Sequence, residues 1–383
     1  TSSARFVKHR AGSPTPARPP WAKAAAQPAS SPAPTRSPPS IDRSAVRKHK
    51  YHPLGEVKGF LLSSSERNGS SVASEGWDVI GDIHGDATKL QGLLTTMGYT
   101  DEGAGWKHRS RRAIFVGDLI DRGPAQAEVV EIARTMVQRG NALIAAGNHE
   151  FNAIAFATRL PNSEEYCRPH TDKNRKQHRE YLDQVGWNSD LHQQHLEWFR
   201  TLPLAVEVDG LRVAHACWDD ASLDALESYL ADDGGFSPNL IHAAADKGSE
   251  SWQAIEHLLK GPEVPLPRPY EFPTGVPRHE ARLQWWRPEA TRLDEAVWIP
   301  GGATEPDGSP YVLTDDSPFV SPVEPYRSLT PVIVGHYWFR GEPKPCSAKV
   351  ACVDYSAAKG GPLVAYRWSG ETELTAENFT TFE

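Results

Sequence analysis

Cysteine is scarce in this 383-residue chain, with four in all. Cys167, Cys217, Cys346 and Cys352 form no C-x-x-C pair, and they fit a reducing, intracellular setting or lone buried thiols better than a disulfide framework. Long apolar runs are missing too: no stretch approaches the roughly 20 residues that a membrane-spanning helix needs. Excess positive charge is the third absence. The chain has 41 Lys and Arg against 49 Asp and Glu, a formal net charge of −8, so no global basic field draws it to nucleic acid. Aromatic residues, by contrast, are plentiful, and 12 tryptophans supply contact area for a sizeable core.

The first fifty residues differ in kind from the rest. They are rich in Pro, Ser and Ala, and hold ten Lys or Arg with Asp42 as the only acid. Such a composition lacks the apolar content to offset its ordering entropy, so residues 1–70 are expected to form a disordered leader or linker. Arg- and Ser-rich, acid-poor leaders also mark organellar transit peptides, which leaves targeting open beside a cytoplasmic location. Residues 71–383 are expected to form the folded domain.

From Trp77 onward, short apolar strands alternate with amphipathic helices. WDVIG reads as a strand, and the stripe of Leu90, Leu93, Leu94 and Met97 reads as a helix lying on a sheet. RAIFVGD is a second strand, followed by a helical stripe over Val129, Ile132, Ala133, Met136 and Val137. NALIAAGN is a third, with a helix expected from Glu150. This alternation predicts an α/β fold with a parallel sheet core. LAVEVDGLRVAHA reads as a hairpin turning at Asp209-Gly210, and KVACVDYSAAKGGPLVAYRW as a second hairpin closed by Gly360-Gly361.

Between them, residues 219–330 read as a Pro- and Trp-rich insertion with one helical piece at SWQAIEHLLK, a candidate lid or substrate wall. Within it, Arg278, Arg282 and Arg287 could donate to phosphate, and Trp285-Trp286 could stack on a ligand. The alternative is that the tryptophans pack the insertion onto the core and the arginines are solvated.

Each core strand ends in polar residues that packing alone does not explain. The ends are Asp82-Ile-His84, Asp118 to Gly123 in GDLIDRG, Asn148-His149-Glu150, His215 in VAHACW and His336 in PVIVGH. Singly, each has an ordinary explanation, such as a helix cap, an Asp–Arg turn or a satisfied core histidine. Together, at the carboxyl ends of successive strands, they predict convergence on one rim. Carboxylate, amide and imidazole ligands suit Mn, Fe or Zn, and a carboxylate can bridge two ions about 3.5–4 Å apart.

GDIHGD, GDLIDRGP, GNHE, VAH and VGH resemble the calcineurin-like metallophosphoesterases, in the branch shared with phosphoprotein phosphatases. Within that branch they look closest to bacterial diadenosine tetraphosphatases and the phosphatase module of polynucleotide kinase-phosphatases. The resemblance covers roughly residues 77–157, 204–218 and 331–368. It implies a four-layer sandwich of two mixed sheets flanked by helices, and two metal ions, with manganese favoured. Asp82 and His84 would bind the first ion, Asp118 would bridge, and Asn148, His215 and His336 would complete the second. Arg122 would grip phosphate oxygens, His149 would protonate the leaving oxygen, and Asp121 would orient His149. Asp86 reads as a helix-start or supporting residue. Ala146 stands where eukaryotic Ser/Thr phosphatases carry Arg, and VDYSAAKGG replaces their C-terminal signature.

The implied activity is hydrolysis of a phosphomonoester or phosphoprotein, with a dinucleoside polyphosphate as the alternative substrate. A non-catalytic metal-binding scaffold is the rival from another class, and a nucleic-acid binder has only the basic leader in its favour.

Overall fold

The computed structural model describes residues 76–383 except 104, 273–276 and 316–317. The leader expected over residues 1–70 lies outside the described residues.

Strand β1 (Trp77–Ile80) is fully buried, and its alternate residues face different cores: Trp77 and Val79 one way, Ile80 the other. Helix α1 (Ala87–Met97) follows, capped by Asp86, whose carboxylate accepts from the Lys89 amide at 2.9 Å. This matches the helix-start reading of Asp86. A two-stranded ribbon of β2 (Thr100–Asp101) and β3 (Trp106–Lys107) leads to β4 (Arg112–Phe115). Helix α2 (Gln126–Gln138), strand β5 (Ala142–Ile144) and helix α3 (Asn148–Ala157) complete the expected alternation. Strands β1, β4 and β5 pair in parallel.

Two helices that the apolar pattern did not suggest come next, α4 (Asp172–Val185) and α5 (Asp190–Arg200). Strands β6 (Ala205–Val208) and β7 (Leu211–Ala214) form the expected hairpin, with Asp209 and Gly210 both at positive φ, as a type I′ turn requires.

The insertion has more structure than one helix. It holds α6 (Asp220–Leu226), α7 (Pro238–Ala243), α8 (Glu250–Lys260) and α9 (Leu293–Ala296). Strands β8 (Glu263–Tyr270), β9 (Arg278–Leu283) and β10 (Val297–Trp298) make a small antiparallel sheet in the order β10-β9-β8.

Strands β11 (Val332–Val334), β12 (Val350–Cys352), β13 (Leu363–Trp368) and β14 (Phe379–Phe382) close the fold. The second expected hairpin does not form. Strand β12 pairs in parallel with β11, whereas β13 pairs antiparallel with β1, in the other sheet. Gly360 ends a short 3-10 turn over Ala357–Lys359, so the glycine pair closes a crossover between sheets and not a two-residue loop.

Two mixed sheets result, ordered β14-β13-β1-β4-β5 and β12-β11-β7-β6. Their inner faces meet in one core that includes Val79, Ile114, Val213, Ile333, Ala351 and Val364. Their outer faces bury Ile80, Phe115, Ala214, Val332 and Val334 against the helices. This is the α/β sandwich, two mixed sheets flanked by helices, that the resemblance implied.

Candidate metal centre and active-site groove

The strand-end loops turn sharply. His84 (φ 51°), Asp118 (φ 53°), Asp121 (φ 65°) and His336 (φ 71°) all adopt left-handed backbone, which non-glycine residues seldom do and which gathers at functional sites. Two glycines allow the close approach. A Cβ on Gly335 would stand 2.1 Å from Asp82 Oδ1, and one on Gly147 would stand 2.3 Å from Asp118 Oδ1.

Asp118 is central. Its Oδ2 lies 3.7 Å from His84 Nε2 and 3.8 Å from His149 Nε2, and its Oδ1 lies 3.4 Å from His215 Nε2. Carbonyl groups orient two of these rings: His84 Nδ1 donates to Ile120 O and His215 Nδ1 to Val116 O, each at 2.8 Å. Burial, then His149, lowers the His84 pKa to about 3, so its ring is neutral. With the proton on Nδ1, Nε2 is left as a lone pair facing the Asp118 carboxylate. The Nε2 atoms of His84 and His336 are buried without a hydrogen-bond partner. His336 Nδ1 faces His215 Nε2 at 3.2 Å, and Asn148 Oδ1 reaches the same nitrogen at 3.1 Å.

The site also demands positive charge. Burial, then Asp354, raises the Asp82 pKa well above the carboxylate range. Burial would lower His215, but Asp118 and then Asp82 outweigh it and lift it to about 10. Acceptors that face acceptors, beside crowded carboxylates, fit cations between them. Two groups of close donors stand out among the described residues, His84–Asp118–His149 and Asp118–His215–His336, and Asp118 belongs to both. Asp82 lies at the same centre, where its carboxylate accepts from the His336 amide at 3.2 Å, and His149 joins His84 and Asp118 in the first donor group.

Three residues support the site: Glu150, placed at a strand end by the sequence but not in this role, and Asp354 and His178, which the sequence did not single out. Glu150 accepts from the amides of Asp118 and Gly147, each at 2.9 Å, and from Leu119 at 2.8 Å, which pins the Asp118 loop. Its place three residues after the Gly147 cap was a usable signal. Asp354 accepts from the amides of Trp338 (2.8 Å) and Ser356 (2.9 Å). His178, on α4, donates from Nδ1 to Asp121 Oδ1 at 2.6 Å, while Asp121 Oδ2 meets His149 Nδ1 at 2.7 Å. Asp121 is therefore held between two imidazoles and does not pair with Arg122. No motif marks His178.

A groove of about 480 Å³ opens over the cluster, lined by Asp118, His149, Arg122, Arg278 and Arg282 among others. Arg278 and Arg282 reach it together because residues i and i+4 of β9 share a face, while Ala281 and Leu283 turn into the core of the insertion. Arg287 does not reach it; its guanidinium binds Glu289 at 3.1 Å and the Glu295 carbonyl at 3.0 Å. Nor are Trp285 and Trp286 a stacking face. Both are buried, and the Trp285 indole donates to Ala216 O (3.1 Å) and Tyr337 Oη (3.0 Å), which seats the insertion on the core.

An α/β sandwich whose strand ends gather carboxylates, an amide and imidazoles around one shared Asp defines a scaffold for a dinuclear metal centre. The family model described as calcineurin-like phosphoesterase matches residues 78–336, and the chain belongs to that family. Among curated relatives, it is 43% identical over 75 residues to a bis(5′-nucleosyl)-tetraphosphatase PrpE [asymmetrical] of Bacillus mycoides and 35% identical over 74 residues to that of Bacillus subtilis. Each match spans 19% of this chain and 30% of the relative. A protein serine/threonine phosphatase structure from Saccharomyces cerevisiae aligns with a TM-score of 0.46 and 15% identity, over 85% of this chain and 84% of that one. Among the described residues, no helix is long and apolar enough to cross a membrane.

Proposed function

We propose that this protein is a metal-dependent phosphatase that hydrolyses phosphate esters, with phosphomonoesters or phosphoproteins as its substrates. The observation that carries the reading is Asp118, shared by two donor groups, in each of which one histidine, His84 or His336, presents a buried Nε2 with no hydrogen-bond partner. A pair of ions, manganese by preference, would supply an acidified water as nucleophile and neutralise the phosphoryl oxygens. Asp82 and His84 would hold one ion, Asn148, His215 and His336 the other, with Asp118 between.

The rest of the work falls to the chain's own side chains. The Arg122 guanidinium, which no carboxylate among the described residues engages, would bind two phosphoryl oxygens, and Arg278 and Arg282 would add charge across the groove. His149 would pass the proton on Nε2 to the leaving oxygen, while Asp121 holds Nδ1 and stabilises the imidazolium. His178 would fix the Asp121 carboxylate from behind. Burial opposes protonation of His149, but Asp118 and then Asp121 outweigh it and raise its pKa, as a proton donor near neutral pH requires.

A dinucleoside polyphosphate is the second reading, favoured by the relatives named bis(5′-nucleosyl)-tetraphosphatase. The test is hydrolysis of p-nitrophenyl phosphate by metal-stripped protein with manganese restored. Turnover should appear with the metal, vanish in Asp118→Asn, and fall about 10²–10⁴-fold in His149→Ala. Folded protein with no turnover in any divalent metal would favour the scaffold reading.

A further inference from the structure

A second cavity, of about 570 Å³, lies beside the groove and shares Arg122, Arg278 and Trp338 with it. Arg340 and Lys359 complete its charged lining, and no acidic residue is among the described residues that line it. We infer that this cavity is an anion subsite in which Arg340 and Lys359, with Arg122 and Arg278, bind a second phosphoryl group of the substrate. The inference rests on the phosphatase reading for where the first phosphoryl group sits, and it selects the polyphosphate substrate of the second reading over a phosphomonoester.

Four observations support it. None of these four cations forms an ion pair with a carboxylate among the described residues, although other arginines near acids do so, such as Arg111 with Asp78 and Arg268 with Glu305. Like charges gathered without counter-ions repel, and an anion placed among them relieves that repulsion. The nearby carboxylate of Asp354 is engaged elsewhere, since its two oxygens accept from the Trp338 and Ser356 amides. Those bonds also fix part of the lining, since Trp338 and Ser356, both at positive φ (54° and 64°), are tied to Asp354 through their amides.

The ring between the two cavities adds a third. Lys359 Nζ stands 3.5 Å from the centre of the Trp338 ring, and the guanidiniums of Arg122 and Arg282 lie 5.6 and 5.5 Å from it. An indole already engaged by cations is a platform that positions charge. The subsite therefore reads negative charge more than it reads a nucleobase. Fourth, burial, then Arg122, pushes the Lys359 pKa down to about 8, although Asp354 opposes the shift.

Sharing Arg122 between the cavities places the second anion next to the first. The geometry suits phosphoryl groups joined within one small molecule, as in a nucleoside polyphosphate. It distinguishes such substrates from simple monoesters, which occupy the groove alone. Arg340 and Lys359 are then specificity residues, remote from the metal ligands.

The experiment compares the manganese-loaded full chain with the Arg340→Gln/Lys359→Gln double variant, both checked for folding by thermal melting. Calorimetry measures binding of imidodiphosphate, whose nitrogen bridge resists hydrolysis, and of inorganic phosphate. Rates of phosphate release are measured in parallel for adenosine triphosphate and adenosine monophosphate. The double variant should weaken imidodiphosphate binding at least tenfold while weakening phosphate binding much less, and the triphosphate-to-monophosphate ratio of kcat/KM should fall by a similar factor. Equal loss for both ligands, or no loss for either, overturns the inference. If neither protein hydrolyses anything, the phosphatase reading has failed, and the binding comparison still decides whether the subsite exists.

Discussion

Gly335 illustrates how tightly single residues define the centre. Any side chain there would press on Asp82, and a Cβ would also stand 2.7 Å from Val116 Cγ2, which is buried in the inter-sheet core. Gly335→Ala is therefore expected to displace the Asp82 carboxylate, weaken metal binding at least tenfold and reduce turnover with it; metal titration with a fluorescent competitor reads the affinity. An unaltered affinity would mean that Asp82 is not a ligand. His178 makes a different residue-scale case, because it acts on His149 only through Asp121. His178→Phe should lower kcat roughly 10-fold with little change in KM, the pattern of a positioning residue whose loss leaves substrate binding intact. At this scale the motifs were legible because metal and phosphate chemistry restrict the residue types allowed. His178 was not, since one histidine on a polar helix looks like any other and only its reach to Asp121 sets it apart.

The elements show where sequence patterning works and where it fails. Strands β1, β4 and β5 announced themselves by short apolar runs, and α1 and α2 by stripes at helical spacing. Helix α4 did not, because its buried face is His178, Tyr181 and Val185, spaced at helical intervals but only one of them aliphatic. The β12–β13 turn misled for another reason: alternation and a Gly-Gly pair describe a local hairpin well, and nothing local says that the two strands join different sheets. In the insertion, the tryptophans turned out to be packing. Trp285→Ala should destabilise the protein by about 3–5 kcal/mol, since it removes a buried indole that also donates hydrogen bonds to the core. Chemical denaturation measures this, and a loss below about 1 kcal/mol would show the insertion to be only loosely seated.

The whole molecule combines the metal centre with a cluster of buried histidines behind it. Burial, then His178, lowers the His192 pKa to about 4, and burial, then Arg134, lowers His195 to about 4. In the unfolded chain both titrate near 6.5, so between about pH 6.5 and 4 the unfolded state binds more protons and stability falls as pH falls. His149 and His215 have raised pKa values and act in the opposite sense, so the effect is read by comparison. In chelator, the unaltered protein should lose several °C more of its melting temperature from pH 7 to pH 5 than a His192→Phe/His195→Phe variant. Equal losses in the two proteins would contradict the buried, neutral state of these rings. The chain belongs to the calcineurin-like phosphoesterase family, and the two donor groups that could hold metal ions share Asp118. Metal stoichiometry by mass spectrometry on the full chain, after manganese loading and removal of free ions, is the decisive measurement of that centre. Two ions per chain are expected, and at most one in Asp118→Asn, with the variant still folded. One ion or none in the unaltered protein, or two in the variant, would refute a pair of ions shared through Asp118.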